Sequence, residues 1–219
     1  MAALAEADSA GVRHALMYTL GTGVGGGVVI DGRIFRGATG LGSELGHIVI
    51  RADGPNCPGA CPNRGCLEAL CSGTALGRDG LEMAQDLPGT ALAKHLEEHG
   101  KVTGREVVEY ARKGDPDSIR LMDRFAENLG VGLSNAVNAY EPELIVIGGG
   151  LSGAADLFLE KAWEEARTRA LPALFARVRV QVARAGAEAG VIGAGLMAAQ
   201  EQERRNMDTA GLTASEGVR

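Results

Sequence analysis

The sequence predicts a mixed α/β fold, and three patterns along the chain lead to that prediction. Short apolar segments between residues 14 and 36 alternate with turn signals, which is typical of a β-hairpin sheet. A further apolar segment, residues 144–147, runs directly into three consecutive glycines. From Glu68 onward the apolar residues mostly recur at helical spacing. A hairpin sheet followed by alternating helices and strands is the layout of a layered α/β domain.

The first fifty residues are predicted to form one helix end, a hairpin sheet and a loop. Residues 1–10 have the composition of the end of a helix, and Asp31-Gly32 is a strong hairpin turn signal. The glycine-dense segment 37–46 is predicted to be a loop. The predicted strands, in chain order, are residues 14–20, 28–30, 33–36 and 47–51.

The remainder of the chain is predicted to be mainly helical, with two more strands. Thr103 is suited to cap a helix that follows it, and Pro142 ends a long helix whose apolar residues have helical spacing. We find no internal repeat and no linker, so residues 1–205 form one unit, followed by a polar tail, residues 206–219, that is expected to be disordered. The predicted elements are helices 104–113, 117–140, 156–170 and 191–203, and strands 144–147 and 178–182.

Composition and charge exclude several classes of protein. The chain has 219 residues, 45% of them hydrophobic, and a net charge of −6 without a Lys/Arg cluster, which argues against nucleic acid or anionic membrane as a partner. No apolar run approaches the roughly 20 residues that span a bilayer. The start lacks the features of a secretion signal. A cytoplasmic location is therefore expected, where clustered cysteines are metal ligands more often than disulfides.

Two glycine-rich loops are candidates for binding phosphate or nucleotide. Residues 21–27 join two strands, so they are not a dinucleotide fingerprint, but such a turn can direct several N–H groups and the Thr22 hydroxyl at one anion. Gly148-Gly149-Gly150 follows a buried strand and precedes a helix, which is where nucleotides bind in open α/β sheets. The alternatives are a β-bulge hairpin for the first loop and a tight strand-to-helix turn for the second.

A cluster of one histidine and three cysteines predicts a metal site. His47, Cys57, Cys61 and Cys66 supply an imidazole and three thiolates, a closed donor set typical of structural zinc. An all-thiolate site that uses Cys71 instead of His47 is possible by spacing. The set with His47 is preferred because Cys71 lies on what reads as the buried side of a short helix. Buried free thiols are the third possibility.

Two glutamates accompany the metal ligands. Glu44 and Glu68 each lie within three residues of a ligand, so a bound metal would fix the loop that carries them. Either one taken alone would be an ordinary surface carboxylate. Held together beside an imidazole, they suit a ligand that is rich in hydroxyls, such as a sugar. The other histidines, at positions 14, 95 and 99, have no such neighbours in the sequence.

At this point the motifs resemble those of the ROK family, which comprises repressors, open reading frames and sugar kinases, and within it the bacterial ROK glucokinases. Val146-Ile147-Gly148-Gly149-Gly150 resembles that family's adenosine loop. The resemblance runs from about Ala3 to Gln200. The zinc loop of this chain has two more residues between its first two cysteines than the common family form. The stretches that carry the resemblance are Leu20-Gly21-Thr22-Gly23-Val24-Gly25-Gly26-Gly27, Gly37, Glu44-Leu45-Gly46-His47 and Gly65-Cys66-Leu67-Glu68.

The resemblance implies an actin-like ATPase (ribonuclease H-like) fold, with residues 1–205 forming mainly the C-terminal lobe and residues 47–68 an inserted zinc loop. It implies phosphorylation of glucose at the 6-hydroxyl by MgATP, and a homo-oligomer. Hexose hydroxyls would bind Glu44, His47 and Glu68. The transferring phosphate would lie on Gly21, Thr22 and Gly23, ATP would approach Gly148 and Gly149, and zinc would bind His47, Cys57, Cys61 and Cys66.

Two motifs of the family kinases do not occur in the 219 residues. These are an Asp-x-Gly-Gly-Thr phosphate loop and an Asn-Asp pair whose aspartate is the general base. Residues 1–6 resemble the helix that follows that pair. We therefore expect a chain that lacks the first lobe, a truncated product or fragment with no catalytic base of its own. Because a general base raises the rate of catalysis about 10²–10⁴-fold, this chain would be a weak or inactive kinase on its own.

Two other functions remain open at this stage. ROK repressors use the same zinc and sugar-binding parts to sense a ligand, although the sequence shows no helix-turn-helix ahead of them. A zinc-stabilised oligomerisation domain without chemistry is the other. Mannose, fructose and N-acylated hexosamines would suit the same side chains as glucose. Self-association is expected because the apolar stripe of the helix at 117–140 and the missing first lobe could each leave apolar surface uncovered.

Overall fold

The structure, a computed structural model, describes residues 2–184, and the helix predicted at 191–203 and the tail at 206–219 lie outside that range. The predicted mixed α/β fold is confirmed. The strands are β1 (Ala15–Leu20), β2 (Val24–Ile30), β3 (Arg33–Ile34), β4 (Leu144–Gly148) and β5 (Arg179–Val182). The α-helices are α1 (Ala2–Ala10), α2 (Leu67–Cys71), α3 (Gly73–Asp86), α4 (Ala91–His99), α5 (Gly104–Arg112), α6 (Pro116–Tyr140), α7 (Leu159–Arg169) and α8 (Pro172–Phe175), and 3₁₀ helices cover Leu45–His47 and Gly150–Leu157.

The five strands form one sheet in the order β3-β2-β1-β4-β5. The first three pair as an antiparallel hairpin sheet, whereas β4 joins β1 in parallel and β5 joins β4 in parallel. Thr19 of β1 pairs with Gly148 of β4, so these two strands end at the same edge. The glycine turn after Leu20 and the glycines after β4 are therefore neighbours.

Helices cover both faces of this sheet. Leu16, Tyr18 and Ile145 point into the larger core, which helices α2 to α7 close. Ala15 and Met17 point to the opposite face and pack against α1. Because β4 is buried on both faces, it reads as an uninterrupted apolar run rather than an alternating one.

Helix α6 is the centre of the helical layer. Asp115 caps its first turn by accepting a hydrogen bond from the N–H of Ser118 at 2.8 Å, and Pro116 is at its first position. Beyond its first turn the apolar stripe is buried, with Phe125, Leu129 and Leu133 at most 3% exposed. Ile119 in the first turn is 40% exposed, so the stripe leaves apolar surface uncovered at that residue only. Among residues 2–184, no helix combines the length and apolar character needed to cross a membrane.

Three predicted elements differ from the structure by more than two residues. Strand β2 begins at Val24 rather than at residue 28, because Gly26 lets the carbonyl of Ser43 pack directly on the strand. The predicted strand 47–51 is wrong: it makes one bridge, Val49 with Cys66, as the chain turns back to the cysteine loop. The helix predicted at 156–170 is a 3₁₀ segment followed by α7, interrupted at Phe158.

A buried serine at the start of α6 offers a test of the local packing. The Ser118 hydroxyl is the buried side-chain oxygen without a hydrogen-bond partner among residues 2–184. We expect Ser118→Ala to leave the free energy of unfolding unchanged or to raise it by up to about 1 kcal/mol, since an unsatisfied hydroxyl disfavours folding. The matched variant Ser72→Ala should lower it by about 1 kcal/mol, because the Ser72 hydroxyl caps α3 through the N–H of Ala75. Urea denaturation measures both, and equal losses would contradict the expectation.

Candidate functional site

The structure brings His47, Cys57, Cys61 and Cys66 into one cluster. One ligand atom from each residue lies within 4.8 Å of all the others. The Cys57 Sγ is 3.4 Å from His47 Nδ1, and the Cys61 Sγ is 3.9 Å from the Cys66 Sγ. Neighbouring ligands of a tetrahedral zinc ion lie about 3.5–3.8 Å apart, given bonds of about 2.0–2.3 Å. The donor set and its spacing therefore fit zinc.

Backbone hydrogen bonds explain how residues far apart in sequence form this cluster. The N–H of Leu67 donates to the carbonyl of Ile48 at 2.9 Å, which places Cys66 beside His47. The N–H of Cys57 donates to the carbonyl of Asn63 at 2.9 Å and folds the cysteine loop back on itself. Gly65 has a φ of +63°, and a Cβ there would lie 1.6 Å from the Arg51 carbonyl oxygen. The closure of the loop therefore requires glycine at this position.

The thiols of the cluster differ in acidity. Burial raises the pKa of Cys57, and the neighbouring thiols of Cys66 and Cys61 add to that effect. Burial also raises the pKa of Cys66. The backbone N–H of Asn63 lowers the pKa of Cys61. Deprotonation of the two buried thiols needs a nearby positive charge, which is what a metal cation supplies.

The fourth cysteine lies apart from the cluster. Cys71 is fully buried at the end of α2, and its thiol donates to the carbonyl of Phe125 at 3.6 Å. Burial raises the pKa of this thiol well above its usual value. Cys71 therefore packs as a small apolar side chain, and the structure assembles the set that contains His47 rather than the all-thiolate one.

The predicted sugar-binding residues are His47, which belongs to the cluster, and Glu44 and Glu68, which lie close to it in the sequence. The His47 ring turns Nδ1 toward Cys57, and its Nε2 is 4.0 Å from Glu44 Oε2. Glu44 is 67% exposed, so its carboxylate is free to meet a ligand. Glu68 is in the first turn of α2, two residues after Cys66, which belongs to the cluster. Its Oε2 accepts a hydrogen bond from the N–H of Val24 at 2.8 Å.

Glu68 also connects the cluster to the glycine hairpin. A cavity of about 360 Å³ opens between β1, β2 and α2. At Gly23 a Cβ would lie 2.3 Å from Glu68 Oε2, so the carboxylate rests directly on the turn. The cavity is lined by Thr19, Gly21, Gly23, Val24, Gly25, Glu68 and Gly149. Thus one predicted sugar-binding residue, Glu68, shares this cavity with Gly21 and Gly23 of the predicted phosphate-binding turn, whereas Glu44 and His47 are not part of its lining.

Gly148 and Gly149 lie where the sequence predicted, at the end of β4. Gly148 is buried, and Gly149 has a φ of +84°. A Cβ on Gly149 would lie 2.5 Å from the carbonyl oxygen of Leu20, so the two loops are in contact. Only glycine combines this conformation with such a close approach to a neighbouring backbone.

A second cavity, of about 880 Å³, extends from the hairpin between α3, α5 and the 3₁₀ segment 150–157. The N–H of Gly73 donates to the carbonyl of Gly21 at 2.7 Å, and the Thr74 hydroxyl donates to the carbonyl of Thr22 at 2.8 Å. The sequence did not predict the walls that α3 and α5 supply. The signal that could have found them is the pair Ser72-Gly73 and Thr103-Gly104, each a cap followed by glycine at a helix start.

Comparison with known proteins now identifies the family. The model of the ROK family matches residues 1–201. This chain belongs to the ROK family. The match agrees with the motifs of the hairpin, the cysteine loop and the glycines after β4.

Three known proteins illustrate the likeness. A glucokinase of Halalkalibacterium halodurans is 36% identical over 192 residues, which is 88% of this chain and 58% of that protein. A xylose repressor of Caldicellulosiruptor bescii is 31% identical, over 83% of this chain and 45% of the repressor. A ROK family glucokinase from Streptomyces griseus, solved with glucose and AMPPNP, has a TM-score of 0.76 and 32% identity, over 86% of this chain and 61% of that one.

These findings confirm the predicted family and the actin-like ATPase fold. They also allow the length of this chain to be compared with the lengths of known proteins. This ROK chain spans less than two thirds of the length of each of the three proteins that it matches. Both a kinase and a repressor are among them, so family membership by itself leaves both functions available.

Proposed function

We propose that this ROK chain carries the sugar, zinc and nucleotide sites of an ATP-dependent hexose kinase that phosphorylates glucose at its 6-hydroxyl. The observation that carries the proposal is the hydrogen bond between Glu68 Oε2 and the N–H of Val24. It joins a carboxylate suited to a sugar hydroxyl with a glycine turn suited to phosphate. A phosphoryl transfer requires these two groups to be held next to each other.

In this proposal Glu44, His47 and Glu68 bind the hexose. Carboxylates accept hydrogen bonds from hydroxyls, and a neutral imidazole that is ligated through Nδ1 donates one through Nε2. Zinc would be held by His47, Cys57, Cys61 and Cys66. A zinc ion with four protein ligands supplies rigidity rather than an activated water. The role of the cluster is thus to orient the ring of His47 and the carboxylate of Glu68.

The hairpin and the larger cavity hold the phosphate donor in this proposal. Gly21, Thr22 and Gly23 bind the transferring phosphate, and Gly148 and Gly149 let the nucleotide approach the end of β4. A cavity of about 880 Å³ is within the range of small-molecule sites. Among residues 2–184, its lining contains three arginines and no carboxylate, which favours an anion such as ATP accompanied by Mg²⁺. Leu81, Val108 and Leu151 offer apolar surface to a base.

The organisation of the chain is also part of the proposal. Residues 1–205 correspond to the C-terminal lobe of a ROK kinase, and residues 47–68 to its zinc loop.

The compartment and the assembly of the protein are proposed as well. The cysteines of residues 2–184 are free thiols, which supports a location of the protein in a reducing compartment such as the cytoplasm. Self-association is proposed on a different ground from the α6 stripe. Phe35 and Leu41 are 44% and 78% exposed, and a partner subunit could cover them.

The 219 residues alone are expected to bind both ligands but to turn over slowly. They include no Asn-Asp pair to supply the general base of the family kinases. We expect calorimetry to detect separate binding of glucose and of MgATP, and a coupled assay to give a rate about 10²–10⁴-fold below that of a full-length ROK glucokinase. Similar rates for the two proteins would contradict the expected lack of a base, and no binding of either ligand would contradict the proposed function.

A sugar-responsive regulator is the second function to consider, because the xylose repressor of C. bescii is 31% identical to this chain. A regulator needs the sugar site but has no need of a nucleotide site. The cavity between α3 and α5 therefore favours the kinase. Binding of a hexose without any binding of ATP would favour the regulator instead, and a structural remnant would bind neither.

A further inference from the structure

The three arginines of the larger cavity are in different electrostatic situations. Arg78 donates to the Asp79 carboxylate and to the carbonyl of Ala69. Arg112 donates to the carbonyl of Gly153 at 2.6 Å and to Asp156. Within the part of the chain that the structure describes, the guanidinium of Arg105 forms no ion pair and no hydrogen bond. It is thus the cavity arginine whose donors are free for a ligand.

The position of Arg105 on its helix increases its need for an anion. It is the second residue of the nine-residue helix α5, directly after the closely packed Gly104. The first turn of a helix is positively charged, so a cation is unfavourable there and an anion is favourable. Glu106 offsets part of this charge, but its carboxylate accepts from the N–H and the hydroxyl of Thr103 in a capping box and forms no ion pair with Arg105. An anionic ligand in the cavity would relieve this repulsion.

Two packing contacts place Arg105 at the hairpin end of the cavity. A Cβ on Gly104 would lie 2.7 Å from the carbonyl oxygen of Gly73, so the start of α5 rests on the start of α3. Gly73 in turn donates to the carbonyl of Gly21 at 2.7 Å. Arg112 is two turns further along α5, against the 3₁₀ segment. The start of α5 therefore lies near the turn that is proposed to hold the transferring phosphate.

We propose that Arg105 binds the phosphate chain of the nucleotide and thereby distinguishes a nucleoside polyphosphate from a nucleoside. This inference rests on the proposed function, since it requires a nucleotide in the cavity between α3 and α5. A guanidinium forms charge-assisted hydrogen bonds with phosphate oxygens, often two at once. Arg105 is a binding residue for the donor, not a group that moves a proton.

The test is a titration of the full chain and its variants with adenosine, ADP and ATP. For Arg105→Gln we expect the Kd values of ADP and ATP to rise about tenfold or more, with the Kd of adenosine unchanged. Arg105→Lys should retain part of the affinity for ADP and ATP, since lysine keeps the positive charge but lacks the planar guanidinium that can donate two hydrogen bonds at once. Arg120→Gln is the matched control, because Arg120 is an exposed arginine that pairs with Asp117 on α6, outside the cavity. It should leave the three Kd values unchanged.

Each outcome decides between the hypotheses, once circular dichroism shows the variants to be folded. Equal weakening of adenosine, ADP and ATP in Arg105→Gln would mean that Arg105 contacts the nucleoside, which overturns the inference. An unchanged Kd for ATP would overturn it as well. In both cases the wild-type protein still binds ATP, so the proposed function survives. A wild-type protein that binds none of the three ligands would overturn the proposed function itself.

Discussion

Replacing Cys66 by serine is expected to release the bound metal and to destabilise the cysteine loop. Cys66 is fully buried and lies 3.9 Å from Cys61 through their sulfur atoms. A serine hydroxyl is a poor substitute for a thiolate, so zinc content should fall from about one equivalent to near zero. We expect the free energy of unfolding to fall by about 3 kcal/mol, equivalent to about 6–12 °C in Tm. Elemental analysis and thermal denaturation measure the two effects.

The same variant should weaken the binding of glucose. Without a metal on Nδ1, the ring of His47 is no longer held with Nε2 toward Glu44. The first turn of α2, which carries Glu68, also loses its attachment to the loop. Loss of two hydrogen bonds of about 1 kcal/mol each should raise the Kd of glucose by about tenfold or more.

Cys71→Ser is the control, since it removes a buried thiol that lies outside the cluster. It should keep its zinc and its affinity for glucose, although it has some cost in stability because a hydroxyl replaces a thiol in the core. A full equivalent of zinc in Cys66→Ser would show that the metal is held by other ligands. Loss of zinc in Cys71→Ser as well as in Cys66→Ser would favour the all-thiolate site.

The sequence predicted the cluster of His47, Cys57, Cys61 and Cys66 because three of its four members are close together in the chain. Cys57, Cys61 and Cys66 lie within ten residues of one another, and such spacing allows few structures other than a closed metal loop. The position of His47 depends on one contact between residues far apart in the sequence, the bridge between Val49 and Cys66. The preference for His47 over Cys71 could be argued from the burial of α2, and the geometry agrees with it.

Strand β2 shows where sequence patterns mislead. Glycine weakens strands, so the residues 25–27 were expected to form a loop. In the structure their lack of side chains allows a close approach: a Cβ on Gly26 would lie 2.2 Å from the carbonyl oxygen of Ser43, and one on Gly25 would lie 2.5 Å from Thr19 Oγ1. Tertiary packing therefore determines that residues 25–27 form a strand, and the strand propensities of these residues do not predict such packing.

The walls of the larger cavity could not be predicted for a related reason. Thr74, Arg78 and Leu81 lie on one face of α3, and Arg105 and Val108 lie on one face of α5. Each helix alone has an ordinary amphipathic pattern. The cavity arises only when Gly77 and Gly104 bring the two helices together. A motif search detects residues that are adjacent in the sequence, whereas this site depends on two helix faces.

The second large effect is expected at the glycine turn after β4. Gly149→Ala should lower the free energy of unfolding by about 2–4 kcal/mol, since its φ of 84° with a ψ of 177° lies in a region that is nearly restricted to glycine and disfavours alanine by about 1–3 kcal/mol. In addition, the new Cβ would lie 2.5 Å from the carbonyl oxygen of Leu20. That atom is backbone at the end of β1, so relief of the clash must move the hairpin. Chemical denaturation gives the loss, and the Kd of ATP should rise because the two loops separate.

Gly150→Ala separates this effect from the mere presence of a methyl group beside the cavity. Gly150 is the next residue and lines the larger cavity, whereas Gly149 lines the smaller one. Gly150 does not have a positive φ, and a Cβ added to it would meet no heavy atom of residues 2–184 within 4 Å. The stability of this variant should change by no more than about 0.5 kcal/mol. If both variants were equally stable and bound ATP equally well, Gly149 could not be holding the end of β4 against the hairpin. The difference between them therefore measures how strongly the glycine turn after β4 and the hairpin turn after β1 depend on each other.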